Sequence, residues 1–80
     1  MRILVVIKRS PARRFLVELH TNKLVREVST LLARRRNSQA IATTLAKGRF
    51  DREIPENEAH TIRADIILTE ESVHWDLVKK

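Results

Sequence analysis

With 80 residues, no cysteine and a formal charge of +6, the chain has room for one small domain, 1–80, and for no second lobe. Disulfides and thiolate metal sites are excluded, and the longest apolar run, Ile3 to Ile7, is far short of the roughly 20 residues that span a bilayer. That run is also too short for a signal-peptide core, so a cytoplasmic protein without membrane contact is the expectation.

The charge is divided along the chain. Residues 1–49 carry 12 Lys and Arg against 2 acids, whereas residues 50–80 carry 4 against 8. A basic body followed by an acidic tail calls for an acidic partner, or for neutralisation of one part by the other within the fold. Aromatic residues are few (Phe15, Phe50, Trp75), which argues against a base-stacking platform for single-stranded nucleic acid.

Ile3 to Ile7 is an unbroken, mostly β-branched run, as expected of a strand placed centrally in a sheet. Lys8 to Arg13 is polar, with Pro11 suited to a turn. In Arg14 to Thr21, Phe15, Val17 and Leu19 alternate with Arg14, Leu16, Glu18 and His20, the pattern of a strand with one buried and one mostly wet face. The two strands predict an antiparallel hairpin.

Asn22 to Arg36 predicts the central helix. Leu24, Val25, Val28, Leu31 and Leu32 share one side at 3.6 residues per turn. Thr21 or Asn22 can cap its start, and Asn37 tolerates the left-handed conformation that ends a helix. A second, shorter helix is expected over residues 39–47, with Ser38 as cap and Gly48 just past its end. Residues 49–60 read as a charged loop tacked to the core by Phe50 and Ile54.

In the last twenty residues, Ile62, Ala64, Ile66 and Leu68 alternate, as do Val73, Trp75 and Leu77, which favours a C-terminal hairpin. Ile62, Ile66, Val73 and Leu77 also fit one helix face, so hairpin and helix both stay open. Trp75 is expected in the core. A hairpin, a helix packed across it and further strands make an α+β domain of the β-grasp, ubiquitin-like type.

Little of this resembles catalytic machinery. His20, His60 and His74 lack any local metal-ligand spacing, the acid pairs Asp51/Glu53, Glu56/Glu58 and Glu70/Glu71 fall in expected loops, and one glycine cannot build a phosphate cradle. Neither an enzyme, a cofactor nor a metal is expected. The cations are more informative: Lys8, Arg9, Arg13 and Arg14 gather around the first turn, and Arg34, Arg35 and Arg36 at the end of the central helix. A solvated rim accounts for them without any partner. As contact patches they suit an acidic protein surface or a phosphate backbone. Three consecutive arginines on a helix fan out at about 100° per step, so they cannot all face one partner.

The segment ILVVIKRSPARRFLVELHTNKLVREVSTLLARRRN resembles the N-terminal domain of the Kurly family of cilia- and flagella-associated proteins, linked to axonemal dynein-arm assembly. The shared elements are an apolar strand ending in Lys8-Arg9, a short polar turn, a Phe-Leu strand and a helix closed by Asn. Leu45, Ala46, Gly48, Pro55, Asn57, Ile66 and Trp75 fall at similar spacings. These are structural residues, and no functional position is carried over; members of the family are much longer. The resemblance implies a cytoplasmic or axonemal adaptor, and a helical rather than hairpin last stretch.

Two expectations of function follow. The first is a non-enzymatic adaptor or structural subunit that docks a larger protein through its basic face or an open sheet edge. The alternative is a small basic nucleic-acid-associated protein of the ribonucleoprotein kind. Nothing in the sequence specifies an oligomeric state.

Overall fold

The apolar run at the start of the chain becomes β1 (Arg2–Ile7), which lies inside a four-stranded mixed sheet in a computed structural model that describes residues 1–34 and 37–78. β2 (Arg13–Glu18) returns antiparallel to it, with Val5 opposite Phe15 and Leu4 opposite Leu16. α1 (Asn22–Arg34) and α2 (Ser38–Ala46) follow, then β3 (Arg49–Ile54), a 3₁₀ turn at Glu56–Glu58, β4 (Ile66–Thr69) and the one-turn α3 (Trp75–Val78). The sheet order is β3-β2-β1-β4, with β4 parallel to β1. The molecule is an α+β domain.

Strand alternation divides the apolar residues between two layers. Ile3, Val5, Ile7, Phe15 and Val17 face the helices and form the main core with Leu24, Val28, Ile41, Leu45, Val73, Trp75 and Val78. Leu4, Leu16 and Ile54 face the other way and are covered by Ile62 and Ala64 from the connection between β3 and β4. Both faces of β1 are therefore buried, which is why its sequence does not alternate.

The helix starts and stops are local chemistry. The Thr21 hydroxyl accepts from the Leu24 N–H at 3.2 Å, so Thr21 caps α1. Asn37 stands in the left-handed region (φ 77°, ψ 63°), and its Oδ1 accepts from the Ala40 N–H at 3.0 Å. Asn37 thus takes the expected left-handed conformation and caps the second helix, a role the sequence assigned to Ser38. The Ser10–Pro11 peptide bond is cis.

Several expectations need correction. The central helix is described only to Arg34; its expected last residues, Arg35 and Arg36, lie outside the described residues. Gly48 does not have a positive φ. It is needed instead for a close approach: a Cβ there would lie 2.9 Å from the Glu18 carbonyl oxygen and 3.1 Å from that of Leu45. The charged segment read as a loop contains a strand, β3. Among the described residues the C-terminal hairpin is absent, because after β3 only Ile66–Thr69 is a strand and it pairs with β1. Beyond it the chain turns and winds into α3, where Trp75 and Val78, three apart, bury against the core. The helical alternative over Ile62 to Leu77 fails as well, since Ile66 is in β4.

Candidate interaction surface

The cations singled out in the sequence do not assemble into one patch. Arg13 pairs in register with Ile7 and Arg14 with Val6, so the two adjacent arginines point to opposite faces of the sheet. Arg13 is held by Glu53 on the neighbouring strand, its Nε and Nη2 donating to the two carboxylate oxygens at 3.0 and 2.7 Å. Its guanidinium also lies 4.9 Å from the centre of the Phe15 ring. The hydrogen bonds to Glu53 raise the Arg13 pKa above its ordinary value. Arg9 reaches Glu70 at 3.4 Å.

Glu71 has its carboxyl lowered by a hydrogen bond with Thr69, then by its own backbone N–H and, last, by the charge of Lys8. The body and tail thus neutralise each other at three places around the first turn. Arg34 is exposed on α1 and makes no ion pair among the described residues; Arg35 and Arg36 lie outside them.

The sequence reading missed a better-defined cationic feature. Lys23, Arg26 and Arg34 are exposed on α1 at offsets of 0, 3 and 11 residues. At 100° per residue these fall within about 80° of one another, on the side away from the buried Leu24 and Val28. The signal was present as a helical period of charge, but the triple arginine drew attention to consecutive residues instead.

The three aromatic rings gather at one end of the sheet. Phe15 stacks on Trp75 with centroids 4.6 Å apart, and Phe50 sits 5.8 Å from Phe15 and 6.2 Å from Trp75. Trp75 is 7% exposed, as expected of a core residue, and its Nε1 is buried without a hydrogen-bond partner. Phe50 is half exposed.

The two edges of the sheet differ in chemistry. β3 carries Arg49, Asp51, Arg52 and Glu53, and a shift of register between Leu16 and Val17 bulges it at Asp51. Charges and a bulge are how sheets prevent a further strand from adding. β4 is the opposite: its four residues, Ile66-Ile67-Leu68-Thr69, carry no charge, and Ile67 is 64% exposed on the face opposite the helices. Among the described residues no strand pairs with the outer side of β4. A groove of about 430 Å³, lined by Leu32, Ile41, Leu68 and Glu71 among others, runs beside that edge on the helix side. An uncharged, unpaired edge with a bare isoleucine is suited to strand addition.

His20, His60 and His74 are all exposed. Among the described residues no cluster of His, Asp and Glu could hold a metal ion, and no helix is long and apolar enough to cross a membrane. No family model, curated protein or solved structure matches this chain.

Proposed function

We propose that this chain is a non-enzymatic interaction module, a structural subunit joined to a larger assembly by strand addition along β4. The observation that carries this reading is the contrast between its edges: β3 is guarded by charge and a bulge, while β4 leaves Ile67 bare. Backbone hydrogen bonds along such an edge supply affinity, and side chains on the two faces supply selectivity. A partner with an acidic surface is further attracted by Lys23, Arg26 and Arg34.

The β-grasp assignment belongs to the same proposal. It is supported by a hairpin followed by a helix across it and a last strand running parallel to the first; β3 lies outside that layout, against β2. A cytoplasmic home in a ciliary or axonemal assembly rests on the resemblance of residues 3–37 to the Kurly family.

The test is recovery of the tagged protein from its native cell, with and without nuclease, beside an Ile67→Arg variant. Bound proteins should survive nuclease and be lost with the arginine, and axonemal components among them would support the ciliary home. Retention by Ile67→Arg equal to that of the unmodified protein would overturn docking along β4. The α1 stripe favours a second reading, a nucleic-acid-associated protein, because its cations are free to meet a phosphate backbone. A bound set that collapses on nuclease treatment, and again on Lys23→Glu with Arg26→Glu and Arg34→Glu, would select that reading.

A further inference from the structure

The pattern of charge around β4 narrows what can pair with it. Arg63 lies exposed just ahead of the strand and makes no ion pair among the described residues, and Glu70 and Glu71 follow just after it. A strand complementary to this edge therefore needs an acid beside Arg63 and a base beside Glu71. β4 meets that description itself when turned end for end. From these observations we infer that the occupant of the β4 edge is the β4 of a second copy of this chain, paired antiparallel about a two-fold axis through Ile67. The inference rests on the reading of β4 as the docking edge and names the partner there.

The backbone suits this pairing. Asp65 donates its N–H inward to the Arg2 carbonyl at 2.8 Å. Met1 and Leu19 exchange backbone hydrogen bonds, which leaves Arg2, Leu4 and Val6 of β1 facing β4, and Glu70 donates its N–H to the Val6 carbonyl at 3.2 Å. Alternation along the strand then turns the N–H and C=O groups of Ile66 and Leu68 inward to β1 and those of Ile67 outward, where no strand meets them among the described residues. With the axis at Ile67, the two Ile67 residues exchange two backbone hydrogen bonds, and Ile66 stands opposite Leu68 of the second copy at the flanking non-hydrogen-bonded positions. The two Ile67 side chains stand side by side at this hydrogen-bonded position, roughly 5.5 Å between Cα atoms. On the helix side, Ile66 of the second copy arrives beside the groove lined by Leu32, Ile41 and Leu68. At both ends Arg63 of one copy runs alongside Glu71 of the other. The contact is isologous and closes on itself, giving an eight-stranded sheet whose outer edges are the two guarded β3 strands.

A four-residue strand pair buries little area, below about 1,200 Å², so the dimer is reversible and dilution should dissociate it. The experiment is light scattering coupled to gel filtration, with sedimentation equilibrium, across a concentration series of the purified chain. Salt is held at ~0.15 M, where screening over about 8 Å confines the repulsion between the two net positive charges. Mass should rise from one copy to two with concentration. Ile67→Arg should weaken association on the order of tenfold or more, with circular dichroism checking the fold.

Arg63→Glu alone should weaken it as well, by placing acids opposite acids at both ends. Arg63→Glu combined with Glu71→Arg should restore it, because the exchange recreates the pair across the axis. Arg63 and Glu71 are both exposed, so these variants keep the test open where Ile67→Arg disturbs folding. A chain monomeric throughout the series would overturn the inference, as would a dimer indifferent to Ile67→Arg or a charge exchange without rescue. In the monomeric case the proposed function still stands if its native-cell partners are lost with Ile67→Arg, so the two readings fail separately.

Discussion

Gly48 and Asn37 hold the two backbone positions where the fold tolerates least change. Any Cβ at Gly48 meets backbone carbonyl oxygens of Glu18 and Leu45 and the Leu19 side chain, all within 3.1 Å. Backbone cannot rotate away as a side-chain tip can, so the junction of α2 with β3 must shift. Gly48→Ala should cost about 1–3 kcal/mol, in the range of overpacked sites, and urea denaturation would read it as a lower midpoint at unchanged slope. At Asn37 the cost has two separable parts. Asn37→Ala removes the cap on Ala40 and strains the left-handed backbone, for about 1–2 kcal/mol. Asn37→Gly relieves the strain and should lose only a few tenths of a kcal/mol. If the two variants melt together, the left-handed geometry contributes nothing and only the lost side chain matters.

At the scale of elements, β3 repays comparison of its two apolar residues. Ile54 is 2% exposed beneath the β3–β4 connection, whereas Phe50 is 48% exposed beside Phe15 and Trp75. Ile54→Ala should therefore cost about 2–5 kcal/mol, as a core truncation does. Phe50→Ala should cost about half of a full Phe truncation or less, roughly 1–2 kcal/mol. Thermal unfolding of the two variants decides the order; a larger loss at Phe50 would mean that the aromatic cluster, not the second layer, secures the edge.

The same strand shows why sequence reading failed there. Phe50 and Ile54 are an even number apart, yet the bulge at Asp51 sends them to opposite faces, so no period of two exists to be seen. An edge strand also has one neighbour and few apolar positions. β2 and α1 were legible because each buries a face that its own periodicity announces, and β1 because an unbroken apolar run marks a strand buried on both faces. The charge patch was not, because the face a cation occupies depends on strand alternation and cross-strand partners such as Glu53. Val73, Trp75 and Leu77 alternate like a strand, but the short β4 ends at Thr69. With no strand to pair with, the segment buries Trp75 and Val78 by coiling instead.

For the molecule as a whole, the divided charge is answered partly within the fold. Two ion pairs, Arg9–Glu70 and Arg13–Glu53, join the basic body to the acidic tail, and Arg52–Glu58 lies within the tail. Their side chains are about half exposed or more, Glu70 alone among the six being mostly covered, and such pairs contribute roughly 0–1 kcal/mol each. The remaining charge is still +6, with Lys23, Arg26 and Arg34 lined along one helix. Repulsion among these cations acts over distances comparable to the screening length, so added salt weakens it, while also weakening the three pairs. The excess of like charge outweighs three weak attractions, and the folded state should gain from screening. Melting temperature at pH 7 should therefore rise by a few degrees between ~0.02 and ~0.5 M sodium chloride, since about 1 kcal/mol moves a domain of this size by roughly 4–8 °C. Replacing Lys23, Arg26 and Arg34 by glutamine should flatten that rise without touching any of the three pairs. A melting temperature that falls with salt would instead show the body–tail pairs to be the dominant electrostatic contribution. A rise that survives the triple replacement would locate the repulsion around the first turn rather than along α1.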